Sequence, residues 1–204
     1  LPRCPKPAIL SLRSTMNDVH HLTNEFVKPG QSLHLLNLEE LAAWPEDLQL
    51  TSPHFRLFLA CDARHIAAEQ TQRFADKILD QGAAYVSLWG PDSYRIDTVI
   101  EEADSLRNLN AAPGRPVVAT SWHRTEPLKE AIWFFLNCTE ADPAFQNTCN
   151  TWLAASIGNV QWFDDIWHQL EMQGAMRAPR KQAAPRRQEI PRGTVPSSDQ
   201  RPQA

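Results

Sequence analysis

Three side chains that could act together in covalent catalysis follow separate apolar segments of the chain. Cys61 ends the run FRLFLAC, Asp92 follows AAYVSLWGP, and His123 follows PVVATSW. A thiol nucleophile needs a base within hydrogen-bonding reach, and these residues could supply the thiol, the base and an orienting carboxylate. The competing interpretation, which we favour, is that Cys61 is a small buried side chain at a strand end, as cysteine often is.

The same segments offer oxygen and nitrogen ligands for a divalent metal, from Asp62, Asp92, His123 and Glu126. Carboxylates and imidazole are ordinary ligands of such ions. Asp92 and Glu126, however, also precede segments with helical spacing, where the helix dipole favours an anion. We therefore predict helix-start roles for these two carboxylates and assign no metal.

Two of the seven tryptophans stand beside these groups, Trp89 and Trp122. Indole rings stack on ligands and anchor protein interfaces, so both are candidate contact residues. Together with Asp92, His123 and Glu126 they form the predicted binding set, and Cys61 and Asp62 complete the catalytic candidates.

Several familiar chemistries are excluded by missing motifs. Binding of NAD or FAD by the usual route needs G-x-G-x-x-G at the first strand–helix turn, and the corresponding segment, CDARHIAAE, contains no glycine. The chain also has neither the P-loop pattern nor the G-x-S-x-G nucleophile elbow. The cofactor, if there is one, stays unknown, and the motifs leave open whether the protein is an enzyme.

Strand-like and helix-like segments alternate from Phe55 onward, and these elements must position the candidate residues. Apolar side chains at helical spacing, such as Phe74 and Ile78, follow the first strand-like run, and Asn159 is placed to cap the last helix. This alternation predicts a small doubly wound α/β domain, Rossmann- or flavodoxin-like, with about four parallel strands and helices on both faces. For the four strands in chain order we expect the spatial order 2-1-3-4.

In such sheets ligands bind beyond the carboxyl ends of the strands, where the strand order reverses. Asp62, Trp89, Asp92, Trp122 and His123 should therefore share one edge. Two neighbouring carboxylates there should attract a cation, and they should favour the charged form of His123. We expect His123→Ala or Asp92→Asn to abolish the activity without unfolding the protein.

The composition divides the 204 residues into four parts. Residues 1–15 are predicted to be a non-native or disordered leader because of their prolines. Residues 16–53 are predicted to form an N-terminal arm in which Asn37 caps a short helix. Residues 54–176 form the α/β domain. Residues 177–204 carry seven basic and two acidic side chains with five prolines, which predicts a disordered tail able to bind an acidic partner or nucleic acid.

The compartment follows from hydropathy and cysteine spacing. Hydrophobic residues make up 42% of the chain, yet none of its apolar runs approaches the ~18 residues of a membrane span. The four cysteines include no CxxC pair, and no signal segment opens the chain. These features predict a cytoplasmic protein with reduced thiols that does not bind membranes.

Three short motifs resemble those of a family of bacterial proteins known only as a domain of unknown function. They are Cys61-Asp62-Ala63 after a strand, Trp89-Gly90-Pro91-Asp92, and the W-H-x-x-E-x-L segment from Trp122 to Leu128. The resemblance implies a Rossmann-like domain over roughly Phe55 to Leu170, and it implies no particular activity.

These observations favour a module that binds a protein or a small ligand at the strand carboxyl edge. The alternative is a hydrolase or transferase with a Cys/His/Asp site or a carboxylate/His metal site at that edge. The fold supports many functions, so the choice depends on the site geometry.

Overall fold

The apolar segments predicted as strands lie side by side in one sheet. The computed structural model describes residues 19–20 and 30–173. Within them the strands are β1 (Val19–His20), β2 (Ser32–Leu38), β3 (Phe55–Cys61), β4 (Ala83–Trp89), β5 (Ala119–His123) and β6 (Thr151–Ile157). Their spatial order is β1-β2-β6-β3-β4-β5, with β1 antiparallel and the other five parallel.

Between residues 30 and 173, four α-helices connect or follow the parallel strands. They are α1 (Ala68–Asp80), α2 (Tyr94–Leu109), α3 (Leu128–Cys138) and α4 (Val160–Met172). The predicted cap of the last helix is confirmed, because the Asn159 side chain accepts a hydrogen bond from the Trp162 amide at 3.1 Å. Short 3-10 turns stand at Leu41–Ala43, Ala63–His65 and Pro143–Phe145.

Side chains along each strand alternate between the two faces of the sheet, and this alternation divides the core into two layers. On one face, Leu57 and Leu59 of β3 pack in a cluster with the apolar residues of α1 and α2. On the other face, Phe58 and Ala60 pack in a cluster with those of α3 and α4. Burying each large apolar side chain contributes about 1.5–3 kcal/mol, so both faces stabilise the sheet. The predicted doubly wound α/β fold is confirmed.

The expected strand order was wrong. For the four predicted strands, now β3, β4, β5 and β6, the order in the sheet is 4-1-2-3 rather than 2-1-3-4. After β5 the chain returns past β3, and β6 inserts between β3 and β2. The spacing of apolar residues along the chain does not indicate which strands are neighbours in the sheet. The strand order could therefore not be predicted from this pattern.

The cap predicted at Asn37 was also wrong, although a short 3-10 helix does form at Leu41–Ala43. Residues Ser32–Leu38 form an interior strand instead, paired along its whole length with β6. Asn37 is buried opposite Ser156, so tertiary pairing overrides its usual preference for a cap. The segment predicted as part of an arm thus contributes a strand to the sheet. The predicted leader and tail, and with the tail its predicted acidic or nucleic-acid partner, lie outside the described residues.

No helix in residues 30–173 has both the length and the apolar character that crossing a membrane requires.

Candidate functional site

The residues singled out in the sequence all follow carboxyl ends of parallel strands. Cys61 ends β3, Trp89 ends β4 and His123 ends β5. Asp62 and Asp92 stand in the turns that follow β3 and β4. The structure therefore places these residues along one edge of the sheet. Their side chains, however, lie on different faces of the sheet.

Cys61 and His123 lie on opposite faces of the sheet. Cys61 belongs to the core under α1 and α2, together with Leu57 and Leu59. His123 is in register with Trp89, which packs on the α3/α4 side, and its ring contacts Phe134 of α3 with centroids 4.9 Å apart. The thiol and the imidazole are thus separated by the sheet, and the Cys–His–Asp arrangement is not formed.

The Cys61 thiol is also poorly suited to nucleophilic chemistry. The side chain is buried, and burial together with the nearby Asp62 carboxylate raises its pKa to about 12. Reactive cysteines need a lowered pKa and some exposure. This environment supports the interpretation of Cys61 as a small core residue.

Asp62 has a partner within its own turn. The Arg64 guanidinium donates from Nε to Oδ1 at 2.9 Å and from Nη2 to Oδ2 at 2.5 Å. This hydrogen bonding lowers the pKa of Asp62 to about 2. The pKa of Arg64 is raised, first by Asp62 and to a smaller extent by the charge of Asp92. Two neighbouring carboxylates at this edge were expected to attract a cation. The Arg64 guanidinium of the same chain provides that positive charge.

The His123 imidazole was expected to be favoured in its charged form, and its environment in the structure has the opposite effect. Its side chain is 8% exposed, and burial lowers its pKa, with Glu126 opposing this effect. Its Nε2 is buried and has no hydrogen-bond partner in residues 30–173. The expected charged imidazole was wrong because desolvation exceeds the attraction of the nearby carboxylate.

The alternative metal ligands are dispersed. In the described part of the chain, no three His, Cys, Asp or Glu side chains are grouped so as to hold a metal ion. Glu126 turns back on its own segment and accepts a hydrogen bond from the Thr125 amide at 3.1 Å. The set Asp62, Asp92, His123 and Glu126 therefore does not converge on one point.

The two candidate tryptophans also separate. Trp89 packs edge to face on Trp162 at 5.1 Å and donates its indole N–H to the Glu126 carbonyl at 2.9 Å. Trp122 is in register with Leu88 on the α1/α2 face and is 49% exposed. They cannot clamp one ligand between them, and Trp122 is the more accessible of the two.

A crevice opens at the edge where the strand order reverses. The chain leaves β3 toward α1 on one face and leaves β6 toward α4 on the other, and the two strands are neighbours. Between their ends lies a cavity of about 570 Å³. The polar and aromatic residues that line it are Glu39, Glu40, Asp62, Arg64, His65, Gln70, Asn159 and Trp162.

Most of these crevice residues were not predicted. Asp62 and Cys61 were singled out, whereas Glu39, Glu40, His65 and Trp162 were not. The run SLHLLNL contains four leucines, and that weaker apolar signal could have placed β2 in the sheet and Glu39 at its carboxyl edge. With β6 beside β3 and β2 beyond β6, the switch point lies between the ends of β3 and β6, away from His123.

The fold and this crevice define a doubly wound α/β domain with an open cavity at its topological switch point, the position at which such domains bind ligands. A family model described as "Domain of unknown function (DUF7684)" matches residues 33–173, and the chain belongs to this family. The match runs from the start of β2 to the end of α4 and confirms the resemblance to a family of unknown function. A search of curated protein sequences found no match.

Proposed function

We propose that the protein is a binding module for a small polar ligand, held in the crevice between β3 and β6. The observation that carries this proposal is the position of the cavity at the point where β3 and β6 send their helices to opposite faces. A volume of about 570 Å³ suits a small molecule better than a flat protein interface.

The lining indicates what kind of ligand would fit. Three carboxylates, Glu39, Glu40 and Asp62, line the cavity together with one guanidinium, Arg64, which is already paired with Asp62. The remaining acceptors favour ligands that carry several hydroxyl or amine donors. The half-buried Trp162 offers an apolar surface beside them, as ligand pockets commonly combine the two.

The enzymatic alternative has less support from the geometry. A Cys/His/Asp hydrolase or transferase would need Cys61 and His123 in contact, and they belong to different faces. A protein-binding role would depend on exposed residues such as Trp122 rather than on the crevice. A cytoplasmic location stays a prediction from the sequence alone.

The test is a screen by amide NMR with nucleosides, sugars and amino acids as probes. One class should shift the amides of Asp62, Gly158 and Asn159 together and in a saturable way. His65→Ala, which changes an exposed crevice residue, should weaken that probe about tenfold, or about 1.4 kcal/mol. His168→Ala removes an exposed histidine of α4 and serves as the matched control.

Two results would count against the proposal. The first is a set of probes that leaves these three amides unchanged. The second is a probe that binds equally well to the His65→Ala and His168→Ala variants and instead shifts signals around Trp122.

A further inference from the structure

A second and larger cavity lies at the opposite edge of the sheet, where β3 and β6 begin. Its volume is about 720 Å³, and its lining includes Arg56, Thr139, Phe145, Cys149, Trp152 and Gln173. Parallel strands begin at one edge and end at the other, so this cavity is separate from the crevice described above.

The cationic group of this cavity is held by an aromatic ring. Arg56 and Trp152 are register partners on β3 and β6, and the Arg56 Cζ lies 4.5 Å from the centroid of the Trp152 ring. The buried Trp152 is itself packed edge to face on Phe135 at 5.0 Å. Stacking on a fixed indole orients the guanidinium plane and leaves its N–H edges for a ligand in that plane.

Arg56 has no anionic partner in residues 30–173. The ion pairs found there use Arg64, Lys77, Arg107 and Arg115 as cations. Arg95 is satisfied in another way, by the carbonyls of Ala63 and Ile66. The Nε of Arg56 is buried without a hydrogen-bond partner, although Glu140, an exposed carboxylate, lines the same cavity. A buried donor without an acceptor is costly, so native structures seldom retain one.

A second residue of the cavity lining also has a buried polar atom without a hydrogen-bond partner. The buried Oε1 of Gln173 has no hydrogen-bond donor, whereas its Nε2 donates to the Lys129 carbonyl at 3.2 Å. Burial raises the pKa of the Cys149 thiol, and the charge of Arg56 opposes this effect. The cavity thus lacks an acceptor at Arg56 and a donor at Gln173.

We propose that this amino-edge cavity binds a small organic anion whose carboxylate or phosphate pairs with Arg56. Oxyanions of both kinds match the forked N–H geometry of arginine, and the pairing would supply the acceptor that Arg56 lacks. Phe145 and Trp152 provide apolar surface for the rest of the molecule, and the volume lies within the range of small-molecule sites. This site is independent of the function proposed for the carboxyl edge.

The experiment titrates the full chain with benzoate, phenyl phosphate and neutral benzamide, followed by NMR. Benzoate or phenyl phosphate should shift the Trp152 indole and the Gln173 side-chain amide to saturation, and the tighter of the two identifies the oxyanion. Benzamide should not. Arg56→Gln should weaken binding at least tenfold, whereas Arg73→Gln, the same change at an exposed site on α1, should leave it unaltered.

Arg56→Lys keeps the positive charge, so this variant tests the pairing of the anion with Arg56 if Arg56→Gln fails to fold. It should bind more weakly than the unmodified chain, because an ammonium lacks the planar fork. The proposal is overturned if neither anion moves the Trp152 and Gln173 signals, or if the Arg56 variants bind like Arg73→Gln. The amides of Gly158 and Asn159, recorded in the same spectra, report on the carboxyl-edge crevice separately.

Discussion

The Arg64 guanidinium holds both carboxylate oxygens of Asp62, with Nε to Oδ1 at 2.9 Å and Nη2 to Oδ2 at 2.5 Å. Both residues line the crevice, so the charge of Asp62 is already balanced within its own turn. A ligand that uses Asp62 must share it with Arg64 or displace the arginine.

Asp62 should titrate near pH 2, because the Arg64 hydrogen bonds lower its pKa to about 2. In Arg64→Gln the midpoint should rise toward the ordinary aspartate value of about 3.9. The stabilisation from this depressed pKa is present above about pH 3.9 and is lost as the pH falls toward 2. Carboxyl-carbon NMR of Asp62 measures both midpoints, with Arg73→Gln as the control. An unchanged midpoint in Arg64→Gln would contradict the pairing.

Cys61 should resist alkylation in the folded protein. With a pKa of about 12, only about one molecule in ten thousand carries the thiolate at pH 8, and the side chain is buried as well. Iodoacetamide should therefore modify the exposed Cys138 first, and Cys61 should react only after unfolding in urea. Peptide mass spectrometry follows both sites, and equal rates in the native protein would show that Cys61 is accessible.

His123 should make the protein less stable as the pH falls below neutrality. Its folded-state pKa is lowered by burial, so its contribution is complete above about pH 6.5 and decreases as the pH falls toward the folded value. The loss cannot exceed about 1.4 kcal/mol per pH unit. His123→Phe keeps an aromatic contact with Phe134 and removes the titration, so it should flatten this dependence.

Urea unfolding at pH 7.5 and 5.5 measures the effect of His123. Among the described residues, His54 also has a lowered pKa, but it is present in both the native protein and the variant and cancels in the comparison. If the unfolding free energies of the native protein and of His123→Phe changed equally with pH, His123 would gain its proton as easily in the folded as in the unfolded state.

The local pattern of the sequence was sufficient for most of the fold. Strands β3, β4 and β6 are nearly continuous apolar runs, and α1 has a clear apolar face, so both features are encoded within a few residues. Strand β2 was missed because His34 and Asn37 interrupt its apolar run and asparagine is a common cap. Its burial depends on β6, which lies more than a hundred residues away in the chain.

Of the candidate site, only the edge of the sheet on which it lies was predicted. That edge follows from parallel strands alone, whereas the face of each side chain depends on register, and the crevice depends on strand order. Cys61 follows Leu57 and Leu59 at period two, so its core position was open to prediction. The face of His123 required knowledge of its pairing with Trp89, which is a long-range contact.

Gly90 should be intolerant of alanine, because it combines a positive φ with a close approach to β3. Its φ is +123°, and a Cβ there would lie 2.4 Å from the Cys61 carbonyl oxygen, a backbone atom that cannot move aside. Gly114→Ala is the matched control, since Gly114 also has a positive φ, +90°, with open space around it. We expect Gly114→Ala to cost about 1–2 kcal/mol and Gly90→Ala about 2–4 kcal/mol in unfolding free energy. Equal losses in urea denaturation would show that the turn after β4 can move away from Cys61.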